Sequence, residues 1–210
     1  MARDHPALAL PRHVLRHLAP EELGRLDGPW EQGNLQVMSF TPDLPGGLTM
    51  LMSIGMSGVL IEAPPPVQSR RYEVCMLLPG GWSPIAGMPE EGGILDNRNW
   101  PLTCVLNAAI LPMRQGRAVQ VGDTLVAGDM LAADAGFTAL LAAPALSLPK
   151  ESRAFVLEGV GHILMALFPI FPEEREFRAR NGSAALVRLM ADAGIGCVAD
   201  VSRRNLCAAD

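Results

Sequence analysis

The stretch YEVCMLL, residues 72–78, decides the fold class. In an extended chain Tyr72, Val74, Met76 and Leu78 turn to one side, and Glu73, Cys75 and Leu77 to the other. Both sets are mostly apolar, and a strand that carries apolar residues on both faces belongs inside a sheet covered on both sides. The segment therefore reads as a central strand.

Working outward, residues 35–40 and 48–54 read as two more strands, joined by the turn-forming TPDLPGG of residues 41–47. A proline-rich loop, APPPVQS, occupies residues 63–69, and a second loop dense in glycine and proline runs over residues 80–93. Pro101 then starts a helix at its favoured first position, with Asn99 near to cap it. Leu102, Val105, Leu106, Ala109 and Ile110 form the expected buried stripe of that helix. Residues 119–126 read as a short strand or hairpin around Gly122-Asp123, and residues 137–143 and 162–168 as further strands. Pro172 and two glutamates open a helix in which Glu174–Arg178 and Glu176–Arg180 are i,i+4 pairs. Asn181-Gly182 ends it, Ser183 caps the next helix, and Leu186, Leu189 and Met190 face inward. A last short strand is expected at residues 198–201. At the other end, residues 13–18 have helical spacing, and Pro20 opens a further helical turn.

Strands and helices are interspersed without a βαβ rhythm, which predicts an α+β fold, a mixed β-sheet covered by helices. No internal repeat or linker divides the chain. A helical extension over residues 1–30 is expected to lead into one compact domain over residues 31–210.

The net charge of −5 excludes the basic excess that a nucleic-acid surface needs. The four cysteines lack CxxC spacing, and Cys75 and Cys104 lie in apolar runs where they read as small core residues. The nearest approach to a membrane span, residues 137–149, is short and broken by proline. With no secretory pattern at its start, the chain is expected to be cytoplasmic.

Catalytic patterns are weak. His13, His17 and Glu21 share helical spacing, but Pro20 interrupts the face and no further ligand stands near, so a solvated helix face is expected and no metal. His162 reads as a hydrogen-bonded histidine at a strand end. Ser57, in GMSG, lacks an identifiable base and the strand–serine–helix context of a nucleophile. The sequence GVGH, residues 159–162, precedes a strand rather than a helix, so it is no phosphate loop. Glu173, Glu174 and Glu176 are accounted for by the helix dipole and their arginine pairs. Arg203-Arg204 is either a solvated end or a fork for carboxylates. No cofactor is implied. The alternative to a binding module is a small-molecule-binding domain or enzyme whose site gathers His162, Glu174 and Arg204.

Six segments, in this order, resemble the suppressor-of-fused family: GMSG (55–58), RRYEVCMLLPGGW (70–82), NWPLTCVLNAAILP (99–112), VGDTLV (121–126), LFPIFPEEREF (167–177) and VADVSRRN (198–205). The resemblance implies an α/β sandwich without enzymatic activity. It also implies a role in binding other proteins, since animal members restrain transcription factors by gripping a peptide strand between two domains, of which this chain is expected to match the first. Similar bacterial proteins are thought of as immunity proteins against toxins. The family's partner-contacting aspartate falls on Asp123, with Gly122 beside it, while Thr124 stands where the animal motif has histidine. Glu174, Arg203 and Arg204 complete the expected partner-binding set. Residues 72–149 carry seven acidic and three basic residues, which suits a basic toxin domain or a basic peptide strand.

Overall fold

The computed structural model of the chain describes residues 6–26, 35–58, 70–82, 99–115, 119–126 and 135–208. The loop expected at residues 63–69 and residues 83–93 of the second loop lie outside them. Among the described residues seven strands form one sheet in the order β1-β2-β3-β7-β5-β4, with β6 also paired to β7. They are β1 (Gln36–Phe40), β2 (Thr49–Ile54), β3 (Arg70–Leu78), β4 (Thr124–Val126), β5 (Ala139–Pro144), β6 (Ala154–Leu157) and β7 (Val160–Ile170). The sheet is mixed: β3 and β7 run parallel, and the other pairs are antiparallel.

The reading of residues 72–78 holds, since β3 lies between β2 and β7. Tyr72, Val74, Met76 and Leu78 pack into one apolar cluster with Trp100, Cys104, Val105, Ala108 and Ala109 of helix α2 (Trp100–Gln115). Cys75 and Leu77 pack into the other, beneath Leu10, Val14, Leu15 and Leu18 of α1 (Ala9–Leu18) and Leu186 and Met190 of α5 (Ser183–Asp192). Each fully buried leucine contributes about 1.5–3 kcal/mol from burial. α1 therefore completes the same core as the strands rather than standing apart from it. Two further helices, the short α3 (Lys150–Arg153) and α4 (Pro172–Asn181), precede β6 and follow β7.

Local differences have physical causes. The buried stripe of α2 is turned toward Cys104 and Ala108, leaving Leu102, Leu106 and Ile110 only partly covered, because small residues let the helix lie close on the sheet. Gly182, not Ser183, caps α5, and Ser183 Oγ faces Gly122 instead. Residues 198–201 form no strand: one parallel bridge joins Val198 to Leu77, and the chain then turns away at Asp200, whose carboxylate accepts from Ser202 N at 2.8 Å.

Candidate functional site

Helix α4 organises the corner where the expected site residues meet. Pro172 occupies its first turn, and Glu174 reaches back so that Phe171 N donates to its carboxylate at 3.1 Å. Glu174 is fully buried, yet it does not pair with Arg178 as its i,i+4 spacing suggests. Arg203 takes that place. Its Nη1 donates to Glu174 Oε1 at 2.7 Å and its Nη2 to Oε2 at 2.6 Å, a two-pronged contact that also fixes orientation. Arg203 Nη2 donates again to Pro169 O at 2.7 Å, and Leu206 N donates to Glu174 Oε1 at 3.2 Å. The guanidinium lies 5.0 Å from the ring centre of Phe137 and 4.7 Å from that of Phe171, so its charge is held between aromatic faces. Arg203 is thus not at a solvated end, and its side chain is only 7% exposed. Arg204, its neighbour, is exposed.

Released from Glu174, Arg178 reaches out of the same helix and donates to Gly122 O. One helical turn of α4 therefore ties the 203–206 segment, through Glu174, to the 121–123 turn, through Arg178. That turn requires glycine. Gly122 has φ +94°, and a Cβ there would stand 2.5 Å from Ser183 Oγ. Gly122 N donates to Ala142 O at 2.7 Å, and Asp123 O accepts from Ala142 N at 2.9 Å, which launches β4 along β5. The half-buried Asp123 carboxylate accepts from Gln120 N at 3.0 Å, the local role an aspartate serves in turns. Around this corner Thr124 Oγ1, Thr138 Oγ1 and Arg178 Nε are buried without a hydrogen-bond partner. Val121 and Val126, on either side of Asp123, are 49% and 69% exposed.

The residues of the alternative enzyme site are not brought together. His162 is the third residue of β7, and the Glu174–Arg203 pair sits at Pro169, seven residues or roughly 23 Å further along the strand. The histidines do something else. His13 stacks on Phe155 at 4.3 Å, Phe155 stacks on His162 at 4.6 Å, and His17 meets His13 edge-on at 4.8 Å. His13 is therefore half-buried and packed, while His17 and Glu21 are exposed, as a solvated helix face requires. His162 is buried with Nδ1 lacking a hydrogen-bond partner, contrary to the hydrogen-bonded reading. Burial lowers the basicity of both rings. No group of three or more metal-ligating side chains occurs among the described residues.

Sequence reading missed Glu73. It is fully buried beneath the Met56–Gly58 turn and accepts from Ser53 Oγ (2.6 Å), Ser57 Oγ (2.7 Å), Ser57 N (2.9 Å) and Gly55 N (3.1 Å). The available signal was the one charge in the otherwise apolar run of residues 72–78.

Comparison with known proteins bears on the whole arrangement. The family model for the suppressor of fused protein matches residues 31–204. The chain belongs to the suppressor of fused family. Among solved structures, a suppressor of fused homologue from Neisseria gonorrhoeae superposes with a TM-score of 0.61 at 15% identity, covering 99% of both chains. A chain of the Sufu–Fu complex gives 0.64 at 14% identity, over 96% of this chain and 93% of that one. Drosophila Suppressor of Fused gives 0.63 at 12% identity, and the match takes in 98% of this chain but 52% of the fly protein. A search of curated proteins returns no match. These likenesses establish the suppressor-of-fused fold for the seven-stranded mixed sheet and its helices. No helix among the described residues is long and apolar enough to cross a membrane.

Proposed function

We propose that this chain is a non-enzymatic protein-binding module that masks a partner, meeting it at the corner of Gly122, Asp123 and Arg204 while Glu174 and Arg203 hold that corner in shape. The observation that carries this reading is the position of β4. It ends the sheet among the described residues, with a half-buried aspartate at its start and exposed valines on both sides. An end strand offers backbone N–H and C=O groups to an added strand, and exposed apolar side chains give that strand something to cover. A solved structural neighbour is itself part of a protein–protein complex, which agrees with a protein partner. The acidic excess in residues 72–149, seven against three, favours a basic partner, and the sharpest form of the proposal is an immunity protein that neutralises a basic toxin domain.

The test is affinity capture of the partner followed by titration with two variants. Asp123→Asn keeps the oxygen that accepts from Gln120 N and removes only the charge. Asp123→Arg reverses the charge and costs the turn bond about 1 kcal/mol in stability. The reading expects weakening for Asn and a loss of a few kcal/mol in binding for Arg, both with the fold intact by circular dichroism. Affinities equal to wild type in both variants remove Asp123 from the interface.

A further inference from the structure

Glu73 sits on β3 with no ion-pair partner among the described residues. Its two oxygens are served unequally: Oε1 meets two backbone amides and Ser57 Oγ, while Oε2 meets Ser53 Oγ alone. Ser53 Oγ accepts from Val74 N at 2.9 Å, so its one hydrogen serves either Glu73 Oε2 at 2.6 Å or Met56 Sδ at 3.3 Å. Ser57 Oγ likewise has one hydrogen for two acceptors, Glu73 Oε1 at 2.7 Å and Ala7 O at 3.0 Å. Two hydroxyl hydrogens thus face four acceptor contacts. Oε1 accepts from two backbone amides, so a hydrogen on the carboxyl sits on Oε2 and is donated to Ser53, which then turns its own hydrogen to Met56 Sδ.

Charge points the same way. Arg71, on the same strand, directs its guanidinium at Ser57 O (2.9 Å) and Gly58 O (2.8 Å), not at Glu73. Tyr72 is held neutral by burial, its phenol pushed up to about 12. On β7 the register partner is Leu164, with His162 two residues away beside Arg71, and on α1 the ionisable groups are Arg12, His13, Arg16 and His17. β2, the Met56–Gly58 turn and Pro6–Leu8 bring no charge at all. An unpaired buried carboxylate is costly, and burial pushes the Glu73 carboxyl up to about 7 although four donors pull it back.

What the carboxyl supports is the seat of the N-terminal segment. The Met56–Gly58 turn approaches Pro6–Leu8 so closely that a Cβ on Gly58 would stand 2.9 Å from Ala7 Cβ. Behind that contact Leu8 and Leu10 are fully buried. We propose that Glu73 is a proton-operated latch: it keeps its proton in the folded chain and thereby fastens the Met56–Gly58 turn, and the N-terminal segment seated on it, to the sheet. Because the folded value lies above the ordinary carboxylate range, the latch contributes fully in acid below that range and is lost as pH rises through about 7.

The direct measurement is the titration of the Glu73 side-chain carboxyl carbon by nuclear magnetic resonance in the wild-type chain, assigned through its own backbone. A midpoint near neutrality is expected, and one in the ordinary glutamate range overturns the proposal. Amide exchange at Leu8 and Leu10 gives the consequence. Protection in wild type relative to Glu73→Gln is expected to fall roughly tenfold per pH unit between about pH 5 and 7 and to level above that. Identical profiles in the two proteins would sink the latch. If Glu73→Gln does not fold, the wild-type titration alone decides.

Discussion

Glu174 and Arg203 meet fork to fork across 29 residues of sequence, at 2.7 and 2.6 Å, with the carboxylate fully buried and the guanidinium nearly so. Removing one member strands the other's charge. Arg203→Met is expected to destabilise the fold by about 3–5 kcal/mol, read from the denaturant midpoint, and the double variant Glu174→Met/Arg203→Met to recover much of that. Arg203→Lys should fall between, since an ammonium cannot span both oxygens or lie flat between Phe137 and Phe171.

Gly122 is held by geometry on two counts, its positive φ and the nearness of Ser183. Gly122→Ala should cost about 1–3 kcal/mol. Adding Ser183→Ala relieves the steric part only, so the double variant should regain some stability but not all of it, as chemical denaturation would show.

The β6–β7 hairpin turns on Glu158 and Gly159, with φ of +51° and +77°. Two positive angles define a tight turn for which asparagine is much better suited than glutamate. Glu158→Asn is therefore expected to raise stability by about 0.5–1 kcal/mol, a gain that a melting curve resolves. No gain would mean that contacts of the glutamate offset its backbone strain.

The stack of His13, Phe155 and His162 makes stability depend on pH in the sense opposite to Glu73. Burial lowers the folded-state basicity of both imidazoles below the ordinary histidine value. The unfolded chain therefore takes up protons first, and their contribution is full above about pH 6.5 and is lost on acidification below it. Replacing both with phenylalanine keeps the stack and removes the titration. The stability difference between wild type and that variant should stay level from pH 8 to about 6.5 and move against wild type below it.

Much of the fold was legible because β3 announces itself: seven alternating residues, apolar on both faces, admit only a covered central position. Its neighbours β1, β2, β5 and β7 were readable as apolar runs between turn residues. What could not be read were partnerships across sequence. The spacing of Glu174 and Arg178 suggested a local pair, but a buried carboxylate gains more from a two-pronged, aromatic-flanked arginine than from a solvated helical neighbour. Glu73 escaped notice because its partners are two serines and two backbone amides, groups that leave no charge pattern in a sequence. The 198–201 segment carried strand-like residues but meets the sheet at only Val198, where a side-chain turn at Asp200 ends the pairing.

The central claim is that a protein partner docks on the terminal strand beside Asp123. Amide exchange over the whole chain, with and without the captured partner, tests it most directly. The account predicts new protection at residues 121–126, with α1 and the β6–β7 hairpin unchanged. Protection confined to those other elements, with residues 121–126 exchanging as in the free chain, would contradict it.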